Sequence, residues 1–299
     1  MLKIENVSKY YGNILAVDNL SFEIKEGEIF GLLGVNGAGK TTTFRMIIGL
    51  LDKSSGNITL NGKPIDYSVT DKVGFLTEER SLLLRMSVLE QAIFYGSLKG
   101  MKEDEIINKL DYYLDKFDIK DYKNRKIKEL SKGNQQKVQF IIAILNDPKL
   151  LILDEPFSGL DPINIELFKN EILEFKKKGT IIIFSTHRMD HAEFFCDNLV
   201  VLLKGKAVLS GSLEKIKKDY KKKNILIKGD VSEVELKSIN GVLSVTKKKD
   251  EYIVKINDDK CVKEVFNYIS KKKIIEKFVV EEASLEEIFI AKVGETYEK

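Results

Sequence analysis

The sequence predicts an α/β fold built on parallel strands, followed by a small C-terminal α+β domain. Two runs, residues 150–153 and 180–184, are short and continuously apolar, which is typical of parallel strands buried on both faces. A helical pattern at 164–178 lies between them and completes a β-α-β unit. The pattern changes near Lys215, beyond which strand and helix patterns alternate and indicate a separate domain.

Length and composition permit two domains of unequal size. The 299 residues are 43% hydrophobic, which is enough for a large buried core and a smaller one. We expect domains at residues 1–215 and 220–299. The net charge of +3 divides into −1 over residues 1–214 and +4 over 215–299. Neither part is basic enough to indicate a nucleic-acid partner.

The cysteines and the apolar runs indicate in which cellular compartment the protein works. Only Cys196 and Cys261 occur, far apart and without the spacing of metal ligands, so we expect two reduced thiols in a cytosolic protein. Residues 1–10 contain no apolar run of signal-peptide length. No run approaches the roughly 20 apolar residues of a membrane span. If the protein serves a membrane, other chains must cross it.

The predicted elements of the first domain follow in order. Segments LKIENV, LSFEI and EIFGLLG are predicted strands, because they are rich in β-branched and aromatic residues and are separated by Asn and Gly. A glycine-rich turn follows at 34–42, and apolar residues recur at helical spacing over 40–49. The pattern is mainly helical from Ser87 to about Leu145, which predicts an inserted helical subdomain at about 82–146.

The second domain begins after a lysine-rich stretch. Segments NILIKG, VLSVTKK, YIVKI and KKIIEKFVV are predicted strands, and residues 262–269 and 284–290 are predicted helices. For the preceding stretch, 215–223, we expect a solvated linker. Contact with anionic lipid or nucleic acid is the alternative.

The segment GVNGAGKTT, residues 34–42, matches the phosphate-binding pattern of Gly, four residues and Gly-Lys-Ser/Thr. Its glycines let the backbone curl with N–H groups pointing inward, and the following helix adds positive potential at its N-terminus. Lys40 would bring a charge to the β- and γ-phosphates, and the Thr41 hydroxyl would ligate magnesium. The predicted nucleotide-binding residues of this loop are Gly34, Asn36, Gly37, Ala38, Gly39, Lys40, Thr41 and Thr42.

The segment LLILDEP, residues 150–156, carries two carboxylates to the C-terminal end of a predicted strand, where α/β proteins place their ligands. Asp154 is suited to hold magnesium, and Glu155 is suited to polarise the attacking water. An adjacent acidic pair alone would be interpreted as a solvated strand end. The phosphate-binding loop upstream favours the interpretation as a site for magnesium and ATP.

This order of elements resembles the nucleotide-binding subunit of ABC transporters. That family carries a signature, usually LSGGQ, between the phosphate loop and the acidic strand, and the matching stretch here is LSKGN. Ser131 and Gly133 match, whereas Lys132 and Asn134 depart from the signature. The resemblance implies that Ser131 and Gly133 contact the γ-phosphate bound by the opposite subunit. Ser131 can also cap its own helix.

Further segments agree with the resemblance. SGLD, residues 158–161, resembles the dimer-contact loop that follows the catalytic glutamate. His187, in FSTHRMD, resembles the switch histidine that contacts the γ-phosphate, whereas His191 is expected to be a surface residue. Tyr11 matches the aromatic residue that stacks on adenine. Tyr10 is the alternative, and the Gly-Asn that follows Tyr11 favours Tyr11 because it predicts a loop tip there.

One departure concerns the metal site. The family usually has a glutamine after the strand that precedes the helical region, and this glutamine contacts magnesium and the membrane subunit. In the matching stretch here, VGFLTEER, Glu78 occupies that position. A carboxylate could still ligate magnesium, although it adds negative charge beside ATP. The stretches LTEER, LSKGNQQKVQ and SLEEIFI are similar to a branch of exporter subunits that includes the sodium-efflux ATPases.

The resemblance covers about residues 1–215 and implies a P-loop NTPase core of ABC type. It implies magnesium-dependent ATP hydrolysis, with Glu155 and His187 as catalytic residues. The expected assembly is a homodimer with composite sites, docked on separate membrane-spanning permease subunits at the inner face of the cell membrane. We expect no nucleic-acid partner.

Two other functions are considered. A soluble ABC ATPase acting on ribosomes or DNA usually carries two such cores or a long coiled-coil insertion, and the sequence shows neither an internal repeat nor extended heptads. A nucleotide-binding regulator without hydrolysis is disfavoured by Glu155, because a protein that only binds needs no water-polarising base.

Overall fold

The computed structural model describes residues 1–65, 71–79 and 81–297. The chain divides into two compact units, Met1–Ser210 and Gly211–Lys299. Each unit has its own cluster of buried apolar side chains. The predicted α/β class is confirmed, with a parallel sheet in the first unit and a smaller antiparallel sheet in the second.

The first unit contains a six-stranded sheet in the order β10-β9-β3-β8-β7-β6. Strand β3 lies between β8 and β9, and β7 lies between β6 and β8; all four pairings are parallel. Strands β3, β7 and β8 are buried along their whole length, which explains their continuously apolar sequences. The strands are β3 (Ile29–Gly34), β6 (Val73–Leu76), β7 (Leu150–Asp154), β8 (Ile181–Thr186), β9 (Asn198–Leu203) and β10 (Lys206–Ser212).

A four-stranded antiparallel sheet packs beside it in the order β2-β1-β4-β5. Helix α1 (Lys40–Ile47) follows β3 directly, and its Phe44 and Ile47 are buried in one core with residues of both sheets. The helix ends earlier than the predicted residue 49, because Gly49 adopts a φ of 73°. The strands of this sheet are β1 (Leu2–Tyr11), β2 (Ile14–Ile24), β4 (Ser55–Leu60) and β5 (Lys63–Pro64).

Helices follow β6 and precede β7. Ser87 caps the first of them through reciprocal hydrogen bonds with Glu90. The rings of Phe117, Phe140 and Phe168 pack together with centroid separations of 4.4 to 5.8 Å, which fixes α4 against α5. The helices are α2 (Val88–Leu98), α3 (Glu103–Lys116) and α4 (Lys132–Ile144), with α5 (Pro162–Lys177) and α6 (Met189–Phe195) following β7 and β8.

The second unit is a β-α-β-β-α-β domain with antiparallel strand order β12-β13-β11-β14. Alternate residues of its central strands, such as Ile225 and Val254, are fully buried with Val265 of α9. Its elements are α7 (Leu213–Asp219), β11 (Lys223–Gly229), α8 (Glu233–Lys237), β12 (Val242–Lys248), β13 (Glu251–Ile256), α9 (Asp259–Ile269), β14 (Ile275–Glu282) and α10 (Leu285–Tyr297).

The expectation of a linker at residues 215–223 is wrong for most of its length. Helix α7 covers the stretch as far as Asp219, and Ser212 caps it by accepting a hydrogen bond from the N–H of Lys215 at 3.2 Å. Lys223 already begins β11. Ile216 is only 8% exposed, and its burial fixes one face of a helix that carries Leu213 at its start and is otherwise charged.

Within the described ranges, no helix is long and apolar enough to cross a membrane. Cys196 and Cys261 are both free and buried, and burial raises the pKa of each thiol. A protonated, enclosed thiol is a poor nucleophile, so both cysteines act as small apolar core residues.

Candidate nucleotide-binding site

The glycine-rich loop joins β3 to α1 and needs two of its glycines for close backbone contact. Gly34 has a φ of 147°, and a Cβ there would lie 2.5 Å from the carbonyl oxygen of Leu202. Gly39 has a φ of 106°, and its Cβ would lie 2.6 Å from the carbonyl oxygen of Ala16. The first turn of α1 contains no acidic residue, so nothing there opposes the positive potential at the helix N-terminus. The loop therefore has the shape and charge to hold phosphate.

The Lys40 side chain lies inside this loop and is only 7% exposed. Its Nζ donates to the carbonyl oxygen of Gly34 at 2.8 Å and to that of Val35 at 3.3 Å. Both acceptors are neutral, so anionic phosphate oxygens would be stronger partners for the ammonium group. Among the other predicted loop residues, Asn36 and Gly37 form an exposed tip, whereas Ala38, Gly39 and Thr42 are at least partly buried.

A buried hydrogen-bonded chain connects the loop to the acidic strand. The Thr41 hydroxyl donates to Oδ2 of Asp154 at 3.0 Å. The Ser185 hydroxyl donates to the other oxygen, Oδ1 of Asp154, and accepts a hydrogen bond from the N–H of Glu155 at 3.1 Å. Ser185 and Asp154 are at most 1% exposed. The orientation of the Asp154 carboxylate is therefore fixed from both sides.

Glu155 and His187 meet at the end of this chain. Glu155 adopts a φ of 49°, a left-handed conformation that a non-glycine residue seldom takes and that often occurs at functional sites. Its Oε1 lies 2.9 Å from Nδ1 of His187. The carboxylate is 8% exposed and the imidazole is 58% exposed, so the histidine covers the glutamate from the solvent side.

The oxygen atoms around Asp154 fit magnesium. Thr41, Asp154 and Glu78 line one cavity of about 340 Å³, and Glu78 lies on its exposed wall. Hydroxyl and carboxylate oxygens are ligands for a hard cation. No group of three or more His, Cys, Asp and Glu side chains within the described residues could hold a metal by itself. Magnesium usually binds to one or two carboxylates together with substrate phosphates, so a complete set of protein ligands is not required.

Two glutamines of α4 hold the segments around this cavity, and the sequence analysis missed both. Nε2 of Gln139 donates to the carbonyl and hydroxyl oxygens of Thr77 at 3.0 and 2.9 Å, and to the carbonyl oxygen of Glu79 at 3.4 Å. Nε2 of Gln136 donates to the carbonyl oxygen of Pro156 at 3.2 Å. The available signal was the glutamine-rich run QQKVQ, which is buried although only the end of the helix, FIIAI, is continuously apolar. Arg80, the end of the LTEER stretch, lies outside the described residues.

The signature stretch forms the N-terminus of α4. The Ser131 hydroxyl caps this 13-residue helix by accepting a hydrogen bond from the N–H of Asn134 at 3.3 Å. Ser131 is exposed and Gly133 is half-buried. Among the described residues, no hydrogen bond joins either of them to the phosphate loop of the same chain. Their contact with a nucleotide stays a prediction.

The predicted adenine-stacking residue lies at the tip of the β1–β2 hairpin. Tyr11 ends β1 immediately before Gly12, which has a φ of 56°, and its side chain is 46% exposed. Tyr10 is similarly exposed, at 51%. The same hairpin continues to Ala16, whose backbone contacts the phosphate loop at Gly39. An exposed aromatic ring beside the loop is suited to stack on a base, and its role stays a prediction.

The expectation that His191 is a surface residue is wrong. His191 is only 8% exposed, and its ring packs edge-on against Phe157 with the centroids 4.9 Å apart. Burial lowers the pKa of His191, which favours the neutral imidazole. Phe157 lies on a different segment from His191, and only the folded chain brings the two rings together.

We expect Ser185→Ala to lower ATP turnover and to reduce the free energy of unfolding by about 1–3 kcal/mol. The substitution leaves a buried carboxylate oxygen of Asp154 and the N–H of Glu155 without their shared partner. Phosphate release and urea unfolding measure the two effects. Thr186→Ala is the matched control, because Thr186 is also buried but its hydroxyl accepts from the N–H of Arg188 and contacts neither Asp154 nor Glu155 through a hydrogen bond among the described residues. Equal turnover losses in the two variants would contradict a positioning role for Ser185.

Comparisons with known proteins agree with this geometry. The family described as ABC transporter matches residues 17–158, and the family described as ATP-binding protein DrrA1-3-like, C-terminal domain, matches residues 211–293. The chain is 48% identical over 298 residues to an uncharacterized ABC transporter ATP-binding protein, YhaQ, of Bacillus subtilis, and the match covers the full length of both. It is 35% identical over 214 residues to Nod factor export ATP-binding protein I of Cupriavidus metallidurans, covering 71% of each chain.

A solved structure is also similar. The dimeric structure of MJ0796, a bacterial ABC transporter cassette, superimposes with a TM-score of 0.66 at 25% identity and covers 71% of this chain and 99% of that one. The parallel sheet, the phosphate loop and the acidic strand define a P-loop nucleotide-binding protein. The chain belongs to the ABC transporter ATP-binding proteins, and it is the ATP-binding subunit of such a transporter.

Proposed function

We propose that this subunit hydrolyses ATP with magnesium and powers an exporter, as a homodimer docked on separate permease subunits at the inner face of the cell membrane. The supporting observation is the buried chain of contacts from Thr41 through Asp154 and Ser185 to Glu155. This chain connects the phosphate loop rigidly to the candidate catalytic base, as hydrolysis requires and simple binding does not. The name of the Nod factor export relative supports the direction of transport.

Each side chain of the site has a separate role in ATP hydrolysis. Lys40 exchanges its two carbonyl acceptors for the β- and γ-phosphates. Thr41 and Asp154 would hold magnesium, which supplies positive charge to the phosphate oxygens. Glu155 orients the attacking water and accepts its proton, and His187 is placed to contact both that carboxylate and the γ-phosphate.

The homodimer supplies the remaining contacts. Each site takes its phosphate loop from one chain and the N-terminus of α4, with Ser131 and Gly133, from the other. The exposed position of Ser131 supports this arrangement, as does the likeness to a dimeric cassette. Helix N-termini attract phosphate through their N–H groups and dipole.

Hydrolysis and dimerisation are tested together by the dependence of phosphate release on protein concentration. We expect turnover per chain to rise with concentration, because only the dimer has complete sites. A chelator that removes magnesium should abolish the turnover. Constant turnover per chain down to nanomolar protein would contradict the composite site, and full activity in the chelator would contradict the magnesium site.

A groove beside the metal cavity is suited to receive a permease segment. It encloses about 460 Å³, and its mainly apolar lining includes Phe75, Leu82 and Tyr95. Lys99 and Gln139 also line it, and burial lowers the pKa of Lys99 to about 8. Because Gln139 also holds residues 77–79, a segment bound in the groove would act on the loop that carries Glu78.

We expect Glu78→Gln to raise the affinity for ATP without magnesium more than the affinity for magnesium-ATP. Glu78 adds negative charge to the cavity of Asp154, and magnesium compensates that charge. The turnover of the isolated subunit should change only modestly, since Glu155 remains, while coupling to transport should change more. Titration of ATP with and without chelator measures the two affinities.

The matched control is Glu103→Gln, which makes the same change at an exposed glutamate outside this cavity. Equal affinity shifts in the two conditions for Glu78→Gln would show that Glu78 does not sense the metal site. It would then be a solvated loop residue, as charged loop residues usually are.

A further inference from the structure

Strand β14 forms one edge of the sheet in the second unit. It pairs with β11 on one side and stands last in the strand order, so its other side faces no strand among the described residues. Apart from the ladder with β11, no backbone hydrogen bond from another described segment reaches residues 276–282. Ile275, Val279 and Val280 are 37 to 39% exposed. An edge strand with exposed apolar residues at its centre is a template for pairing with another chain.

The opposite edge, β12, differs in charge. Its sequence VLSVTKK ends in lysines and contains no acidic residue, which is a common protection against edge pairing. Strand β14, IEKFVVEE, has Glu276 and Lys277 on one side of an apolar centre and two glutamates on the other. It can therefore form ion pairs with a copy of itself, whereas β12 cannot.

We propose that β14 pairs antiparallel with β14 of a second copy of this chain, around a two-fold axis at Val279. Residues directly opposite in an antiparallel pair lie on the same face, so the register is restricted. In this register Val279 faces its own copy, Phe278 faces the partner's Val280, and Lys277 faces the partner's Glu281. Apolar residues meet at the centre. On each side of them Lys277, which also pairs with Glu251 of its own chain at 2.9 Å, faces a second carboxylate from the partner.

Two symmetry-related pairs of like charges also arise, because Glu276 of each chain faces the partner's Glu282 in this register. Glu276 already forms an ion pair with Lys228 at 2.7 Å within its own chain. Glu282 lines a cavity together with Lys218 and Lys221, whereas Lys223, its neighbour on β11, pairs with Asp259 at 2.6 Å. These lysines reduce the repulsion between the two carboxylates.

The two-fold arrangement also closes the assembly. Pairing of β14 with β12 of the next copy would be heterologous and would continue into filaments. Pairing of two β14 strands joins the two second-unit sheets into one, whose two edges are both the lysine-protected β12. A single strand pair is smaller than the roughly 1,200 Å² of a stable protein interface, so the contact is weak alone. It lies outside the nucleotide site, and it is tested without nucleotide.

Disulfide trapping in the full-length, nucleotide-free chain tests the register. Val279→Cys places two thiols across the axis with Cα atoms about 4.5–5.5 Å apart, within reach of a disulfide. Val280→Cys is equally exposed, but the two copies of residue 280 lie diagonally, about 7–8 Å apart, which is too far. The native cysteines are buried. Leu243→Cys on β12 gives the background rate of random collision.

We expect Val279→Cys to form the disulfide dimer at least about tenfold faster than either control, because only there does the register hold the two thiols within bonding reach. Equal rates at the three positions would overturn the proposal. Faster trapping at Val280 than at Val279 would overturn the register. Light scattering of the unmodified chain that shows growing filaments would favour pairing of β14 with β12 and overturn the closed dimer.

Charge substitution in the Val279→Cys background tests the ion pairs. Glu281→Lys sets lysine against lysine in its homodimer, and Lys277→Glu sets glutamate against glutamate. Each alone should trap more slowly. An equimolar mixture of the two should recover about half of the parental rate, because half of the encounters join unlike chains, in which both pairs are again of opposite charge. No recovery in the mixture would contradict the pairing of Lys277 with Glu281.

Discussion

Glu155→Gln should retain ATP binding and lose turnover by a factor of about 10²–10⁴, the range that a general base contributes. The amide has the size of the carboxylate but cannot accept a proton from water at neutral pH. The Asp154 side chain and its contacts with Thr41 and Ser185 stay in place, because Glu155 joins that chain only through its backbone N–H. Phosphate release measures the loss.

The same variant should accumulate an ATP-bound dimer. If the composite site closes on ATP and opens after hydrolysis, a chain that cannot hydrolyse stays closed. Size-exclusion chromatography with and without ATP detects the shift. Glu78→Gln makes the same chemical change in the neighbouring cavity wall and should not trap the dimer. Hydrolysis by Glu155→Gln at the parent rate would remove Glu155 from the catalytic role.

The parts of the site that the sequence predicted are encoded locally. The phosphate loop and the acidic strand are continuous segments, so their residue types and spacing are visible without the fold. The structure places Thr41 beside Asp154 because β3 and β7 flank the same strand, β8, with their C-terminal ends at one edge of the sheet. That placement follows from the general rule for parallel sheets.

Ser185 shows what local sequence could not predict. It contacts Asp154 because strands β7 and β8 pair in a register that sets Asp154 opposite Ser185. The two residues are 31 positions apart, and a shift of the register by one residue would turn Ser185 to the other face of the sheet. The register depends on packing of the whole sheet and cannot be read from either strand alone.

Gln139 and Ile216 are two further residues whose contacts the local sequence does not predict. Gln139 reaches residues 77–79 across a sequence separation of about sixty residues, and only the packing of α4 near β6 brings them together. Leu213 and Ile216 are the two apolar residues of a seven-residue helix, which is too short a pattern to indicate an amphipathic helix. The burial of Ile216 and the cap at Ser212 stabilise this helix.

If two chains share each site, substitutions in the phosphate loop and in the signature stretch should impair different steps. Lys40→Ala should abolish tight ATP binding, because it removes the only cationic side chain of the phosphate loop. Ser131→Arg should leave ATP binding largely intact and lower hydrolysis by a factor of about 10²–10³, as loss of a phosphate donor does. Loss of the helix cap costs about 1 kcal/mol, so the variant should remain folded.

Mixing these two inactive variants should restore activity. In a mixed dimer, the loop of the Ser131→Arg chain meets the intact signature of the Lys40→Ala chain, and both lesions fall on the other site. An equimolar mixture should reach about a quarter of the parent rate, since half of the dimers are mixed and each has one intact site. The control is Lys40→Ala mixed with a chain carrying both substitutions, in which no combination has an intact site. If the first mixture recovers no more activity than this control, either the two chains do not share their sites as proposed or neither site can fire without the other.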